Sequence, residues 1–162
     1  MKRILLYTAV YSLTTAALTY AGYAGYASAK TDNNKLANIE NSLQSIPSGW
    51  QLVKQTFQLH IPKNGKALSQ LIIGVPSTVA VSNDIDILDD KGQKIKINIS
   101  VKSGTIIIDF PEPVTSSTTI LKINLNKVLQ PILSSTSTYH LSAKVVGSDI
   151  EIPIGEALFP SF

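Results

Sequence analysis

Asp84, Asp86, Asp89 and Asp90 gather four carboxylates within seven residues. Ca²⁺ takes six to eight oxygen ligands, so a dense acidic loop is where such an ion would be sought. The spacing departs from the EF-hand pattern: Leu88 stands where the third ligand belongs, and Gly92 comes too late for the turn. The same residues also read as a polar strand face running into a tight hairpin. His60 and His140 are the only two histidines. Neutral imidazole is a common ligand for Zn²⁺ or Cu²⁺. If the two lay near each other on one sheet, a carboxylate could complete a metal site. There is no cysteine, and Met1 is the only methionine, so soft copper ligands are lacking.

Catalytic patterns are missing. The chain has no Gly-x-Ser-x-Gly elbow, no His-Glu-x-x-His and no glycine-rich phosphate loop. Serine and threonine are plentiful, but neither histidine has an obvious acid to orient it as a base. Asp109 and Glu112 can be cast as a paired acid and base. They also fit a strand end beside Pro111 and Pro113. Asn98-Ile99-Ser100 matches the N-glycosylation triplet. The residues give no reason to expect an enzyme or a cofactor.

The elements that would hold these groups follow from hydrophobic period. Residues 1–29 have the build of a secretory leader. Lys2 and Arg3 precede an uncharged apolar stretch from Ile4 to Ala21, and Ala27-Ser28-Ala29 supplies small residues for signal peptidase. Cleavage is expected before Lys30, which sends the protein to the periplasm or beyond. An apolar run of about 18 residues is also near the lower limit of a membrane span, so a retained anchor is the rival reading. That anchor would be the chain's one route to a membrane. No cysteine is present to carry a lipoprotein's lipid.

Loss of the leader alters the charge. Of 14 basic and 11 acidic residues, Lys2 and Arg3 leave, so the net charge of +3 becomes +1. The basic balance is mostly a precursor property and gives no case for nucleic acid. Arg3 is the only arginine, so residues 30–162 lack the guanidinium forks that clamp phosphate. Without cysteine, packing alone must stabilise the domain.

Residues 30–48 read as a polar segment with a short amphipathic helix. Leu36, Ile39, Leu43 and Ile46 recur at helical spacing, and Pro47-Ser48-Gly49 stops the run. From 49 to 162 the period becomes two. Phe57, Leu59 and Ile61 alternate with Gln58 and His60, Leu71, Ile73 and Val75 with Ile72 and Gly74, and Ile85 and Ile87 with Asp84, Asp86 and Leu88; Ile106, Ile108 and Phe110 follow at the same spacing. The pattern continues through Leu121, Ile123 and Leu125, then Tyr139, Leu141, Ala143 and Val145, and ends at Ile150, Ile152 and Ile154. The cleanest alternation is Ile95, Ile97, Ile99 and Val101, which predicts a strand with Ile97 buried beside Ile108. About eight short strands with turn residues between them predict an all-β, antiparallel, immunoglobulin-like sandwich. A small barrel is the second choice. Trp50 is expected to close one end of the core, or else to stack a sugar or anchor a partner.

The order of motifs resembles the cyanobacterial exported family catalogued as domain of unknown function 2808. The resemblance runs from Gly49 to Phe159. It rests on Gly49-Trp50, Phe57-x-Leu59-x-Ile61-Pro62, Ala67-Leu68-Ser69, and Ile106 to Phe110 leading into Pro113-Val114. Leu125, Pro131, Tyr139-x-Leu141, Gly147 and Gly155 complete it. Thr115-Ser116-Ser117 and Gln130-Pro131 stand where such proteins often have Pro-Gly and Asn-Pro. The resemblance implies a secreted β-domain and assigns no activity and no functional residues. The expectation is a non-catalytic envelope or extracellular-matrix module that binds protein or polysaccharide. A periplasmic metal-binding module for calcium, zinc or copper is the alternative, and a cell-wall or polysaccharide hydrolase the weaker one.

Overall fold

Strict alternation of β-branched residues favours extended chain, because each pleat sends one apolar side chain inward and the next toward water. The computed structural model describes residues 27–32, 46, 48–132 and 136–160. Among these are ten strands and no helix. They are β1 (Ala27–Asp32), β2 (Trp50–His60), β3 (Leu68–Gly74), β4 (Ala80–Val81), β5 (Ile85–Leu88), β6 (Asn98–Lys102), β7 (Thr105–Val114), β8 (Ile120–Pro131), β9 (Thr136–Val145) and β10 (Ile152–Pro160). The helix expected over 34–46 lies, but for Ile46, outside the described residues.

The strands form two antiparallel sheets. One has the order β1-β2-β8-β4, with β5 also paired to β8. The other has the order β10-β9-β3-β7-β6. Their inner faces share one core. Phe57, Leu59, Ile87, Leu121, Ile123 and Leu125 from the first sheet meet Leu71, Ile73, Ile106, Ile108, Tyr139 and Phe159 from the second. Phe159 packs edge-on to both Tyr139 and Phe57, at centroid distances of 5.5 and 6.4 Å. The architecture is an immunoglobulin-like β-sandwich.

Local sequence explains the tightest connection. β6 and β7 are joined by Ser103-Gly104 alone, with φ of 30° and 79°. Two positive φ values make the hairpin turn whose twist matches the strands, and glycine takes the second without strain.

Three expectations are corrected. The regular run from Ile95 to Val101 is not one strand. Asp89 and Gln93 close a turn, Lys94 bridges back to Leu88, and the Ile95 N–H donates to Ile87 O. The chain then leaves the first sheet and joins the second only at Asn98. Ile97 lies in this crossing, partly buried, whereas Ile108 is wholly buried on β7 and faces Ile99. Trp50 is half-buried at the start of β2 opposite Pro131 and does not join the core. β1 was not expected. It pairs with β2 from Ala27↔Leu59 to Asp32↔Lys54, so the Ala29–Lys30 bond lies inside a strand.

Candidate functional site

The acidic cluster is divided by the β5 hairpin. Asp84 immediately precedes β5 and Asp86 is its second residue, paired with Asn124 of β8. Asn126 Nδ2 donates to both, at 3.1 Å to Asp84 and 2.8 Å to Asp86. Lys94 pairs with Asp86, and Lys127 lies 3.5 Å from Asp84. Asp89 serves the turn: its Oδ1 accepts the Lys91 and Gln93 N–H groups at 2.9 and 2.7 Å. Asp90 accepts from Thr119 at 3.1 Å. Each carboxylate therefore has a protein partner, two of them lysines.

The ionisation states follow from these contacts. Hydrogen bonds from Lys94 and then Asn126 hold the Asp86 carboxyl below its ordinary value. The Asp86 hydrogen bond and charge hold Lys94 above its own. An amine, a carboxylate and a carboxamide in series are the parts of a transamidation. Here the amine is exposed and protonated, so it has no free lone pair and the trio is an ion pair with a hydrogen-bonded neighbour.

The two histidines are not brought together. His60 ends β2 in the first sheet, out of phase with the inward Phe57, Leu59 and Ile61. Partial burial lowers its pKa, which keeps the imidazole neutral at pH 7. His140 lies on β9 in the second sheet, between the inward Tyr139 and Leu141. Its Nδ1 is 3.0 Å from Glu156 Oε1 across the β9–β10 pair. The histidines thus face outward from opposite sheets, with the core between them. The condition for a shared metal site, that the two lie near each other on one sheet, is not met. Among the described residues no three of His, Cys, Asp and Glu are grouped to hold a metal ion. Asp109 accepts from Gln70 at 2.6 Å, and Glu112 is exposed further along β7. The glycosylation triplet opens edge strand β6.

Sequence reasoning missed a polar cluster inside the core. Gln55 is fully buried on β2, and its Nε2 donates to Gln130 Oε1 at 2.8 Å. The Tyr139 hydroxyl donates to Gln55 Oε1 at 2.5 Å. Burial pushes the Tyr139 phenol well above its ordinary value, so it remains a donor. Gln51, opposite Gln130, buries its Nε2 with no acceptor among the described residues. A legible signal existed: Gln55 occupies the inward phase of Phe57 and Leu59.

No family model matches the chain, and no curated protein does. Solved structures match at low identity. The N-terminal domain of the Streptococcus gordonii adhesin Sgo0707 superposes with a TM-score of 0.55 and 10% identity, covering 84% of this chain and 32% of that one. The major pilin subunit BcpA of Bacillus cereus gives 0.51 and 10%, covering 85% and 39%. BslA, described as a bacterial hydrophobin, gives 0.51 and 13%, covering 85% and 93%. The chain spans two fifths or less of the pilin and adhesin chains and most of the hydrophobin. At these identities the likeness shows a shared fold.

Proposed function

We propose that this chain is an exported, non-catalytic β-sandwich module that binds or assembles with protein or polysaccharide of the cell envelope or extracellular matrix. One observation carries the reading: the acidic groups nominated for metal chemistry are engaged in turns, ion pairs and cross-strand hydrogen bonds. The two histidines lie on opposite faces, too far apart in the fold to share one metal or one proton relay. The leader-like residues 1–29, with Ala27 and Ala29 preceding Lys30, support export. The pilin, adhesin and hydrophobin likenesses lend direction to the surface role without assigning it. The resemblance to an exported cyanobacterial family points the same way.

Fractionation tests the proposal. The tagged full-length chain, expressed in a Sec-competent host, should leave the cytoplasm and sediment with envelope or matrix material. It should carry no stoichiometric metal and hydrolyse no cell-wall glycan. Cytoplasmic retention, free solubility at every stage, or one equivalent of metal lost on His60→Ala or His140→Ala would overturn it.

A further inference from the structure

The bond that the leader motif marks for cleavage lies in the middle of β1. Ala27, Ser28 and Ala29 pair with Leu59, Gln58 and Phe57, while Lys30, Thr31 and Asp32 pair with Thr56, Gln55 and Lys54. Cutting before Lys30 removes the first half of the strand that covers β2. The three residues left would sit at a free chain end, where short pairings fray. An uncovered strand edge is a template for another strand, and proteins usually guard such edges with proline, charge, bulges or brevity.

The other sheet edges carry those guards. β4 has two residues, and β5 has four and bears Asp86. β6 ends in Lys102. β10 holds Pro153, a bulge between Pro153 and Gly155, and Pro160. On β2 the guards are Lys54 and the bulge between Val53 and Gln55, both at the Asp32 end of the stretch that β1 covers. The stretch from Gln55 to His60 has no proline, glycine or full charge. The cut therefore bares the least guarded length of edge in the described sheets.

We propose that the processed protein pairs through this edge with a second copy of itself, β2 against β2, joining two sheets into one. The proposal rests on the reading of residues 1–29 as a cleaved leader. Self-pairing fits the strand's chemistry. An antiparallel two-fold centred on Phe57 sets Gln55 opposite Leu59, Thr56 opposite Gln58 and Lys54 opposite His60. Inward positions then face inward positions, as a continuous sheet requires. The one lysine meets an imidazole held neutral by burial, so no like charges are opposed. Such a contact is isologous and closes on itself.

The test uses protein exported and processed from the full-length chain. Its intact mass should give Lys30 as the first residue. Light scattering should show a dimer at tens of micromolar that dissociates on dilution. The β2 amides facing away from β8 should exchange slowly when concentrated and rapidly when dilute. Gln58 is exposed, so Gln58→Lys should leave monomer stability unchanged while weakening the dimer at least tenfold, by placing two lysines on the same face as diagonal neighbours across the new seam, each opposite Thr56 of the other copy and beside the existing Lys54 row. A first residue of Met1 would overturn both the cleavage reading and the proposal. A first residue of Lys30 with a monomer at all concentrations would overturn the proposal alone. So would a dimer indifferent to Gln58→Lys, or a processed chain that cannot fold.

Discussion

At the scale of single residues, the buried carboxamides test the structure most directly. Tyr139→Phe keeps the ring between Phe159 and the core but leaves Gln55 Oε1 without its phenol donor. An unsatisfied buried acceptor costs about 1–3 kcal/mol, which denaturant titration should resolve. Gln51→Met has the opposite expected sign. It replaces a buried Nε2 that lacks an acceptor with an apolar group of similar length, and stability should rise by about 1 kcal/mol. Asp86 sets an acid limit. Its carboxyl is depressed in the folded chain, so the stability it contributes is present above the unfolded value of about 3.9 and is lost as pH falls through the folded one. Both partners are substantially exposed, so the effect should be modest and screened by salt. Asp86→Asn should flatten the stability profile below about pH 4 relative to the parent chain.

At the scale of elements, the hairpin after β5 decides what the acidic cluster is for. Asp89 already accepts two backbone N–H groups, so Asp89→Ala should loosen the turn and cost about 1–3 kcal/mol with or without calcium. Millimolar calcium should shift the melting midpoint no more than magnesium at equal ionic strength. A calcium-specific rise abolished by Asp89→Asn would mean the turn is an ion loop. The pair Ile97 and Ile108 tests strand assignment. Ile108→Ala should cost about 2–5 kcal/mol, because β7 buries it completely. Ile97→Ala should cost about 1 kcal/mol, because the sheet crossing leaves it partly exposed. These two positions also show what the sequence can and cannot say. Period two identifies extended chain with one apolar face, and it found the strands around Leu59, Ile73, Ile108 and Leu125 correctly. It is blind to hydrogen-bond partners, so the same period ran unbroken through a segment that changes sheets. β1 was hidden for a different reason. Ala27-Ser28-Ala29 reads as a peptidase site, and so short a run of small residues carries no period-two apolar pattern that would mark a strand. The separation of His60 and His140 was illegible because alternation sets which face a residue takes, not which sheet its strand joins.

At the scale of the whole molecule, topology and composition set the behaviour. The central pairing of the first sheet joins β2 to β8, with Gln55 and Gln130 separated by 75 residues. Long-range pairing of this kind must pay loop-closure entropy before contacts form, so folding should take milliseconds to seconds. The lone Trp50 is half-buried on β2 and gives a single fluorescence probe for that reaction. Its denaturation curve should overlay the far-ultraviolet signal of the sheets, as one shared core implies. With no disulfides to hold the chain together, reductant should leave the curve unchanged.

The Gln55, Gln130 and Tyr139 cluster also acts against misalignment. A one-residue slip of β2 along β8 would turn Phe57 and Leu59 outward, and the apolar pattern forbids it. A slip of two residues keeps every face correct, and greasiness alone cannot detect that error. It would carry Gln55 away from the amide and phenol that satisfy it and leave three polar groups stranded in hydrocarbon. The cluster is a proofreading mark, readable only when the strands meet at the right offset. Replacing all three with apolar side chains of similar size should give a domain that is equally stable or more so, yet settles into several alignments. Multiple sets of amide resonances for β2 and β8 would report it.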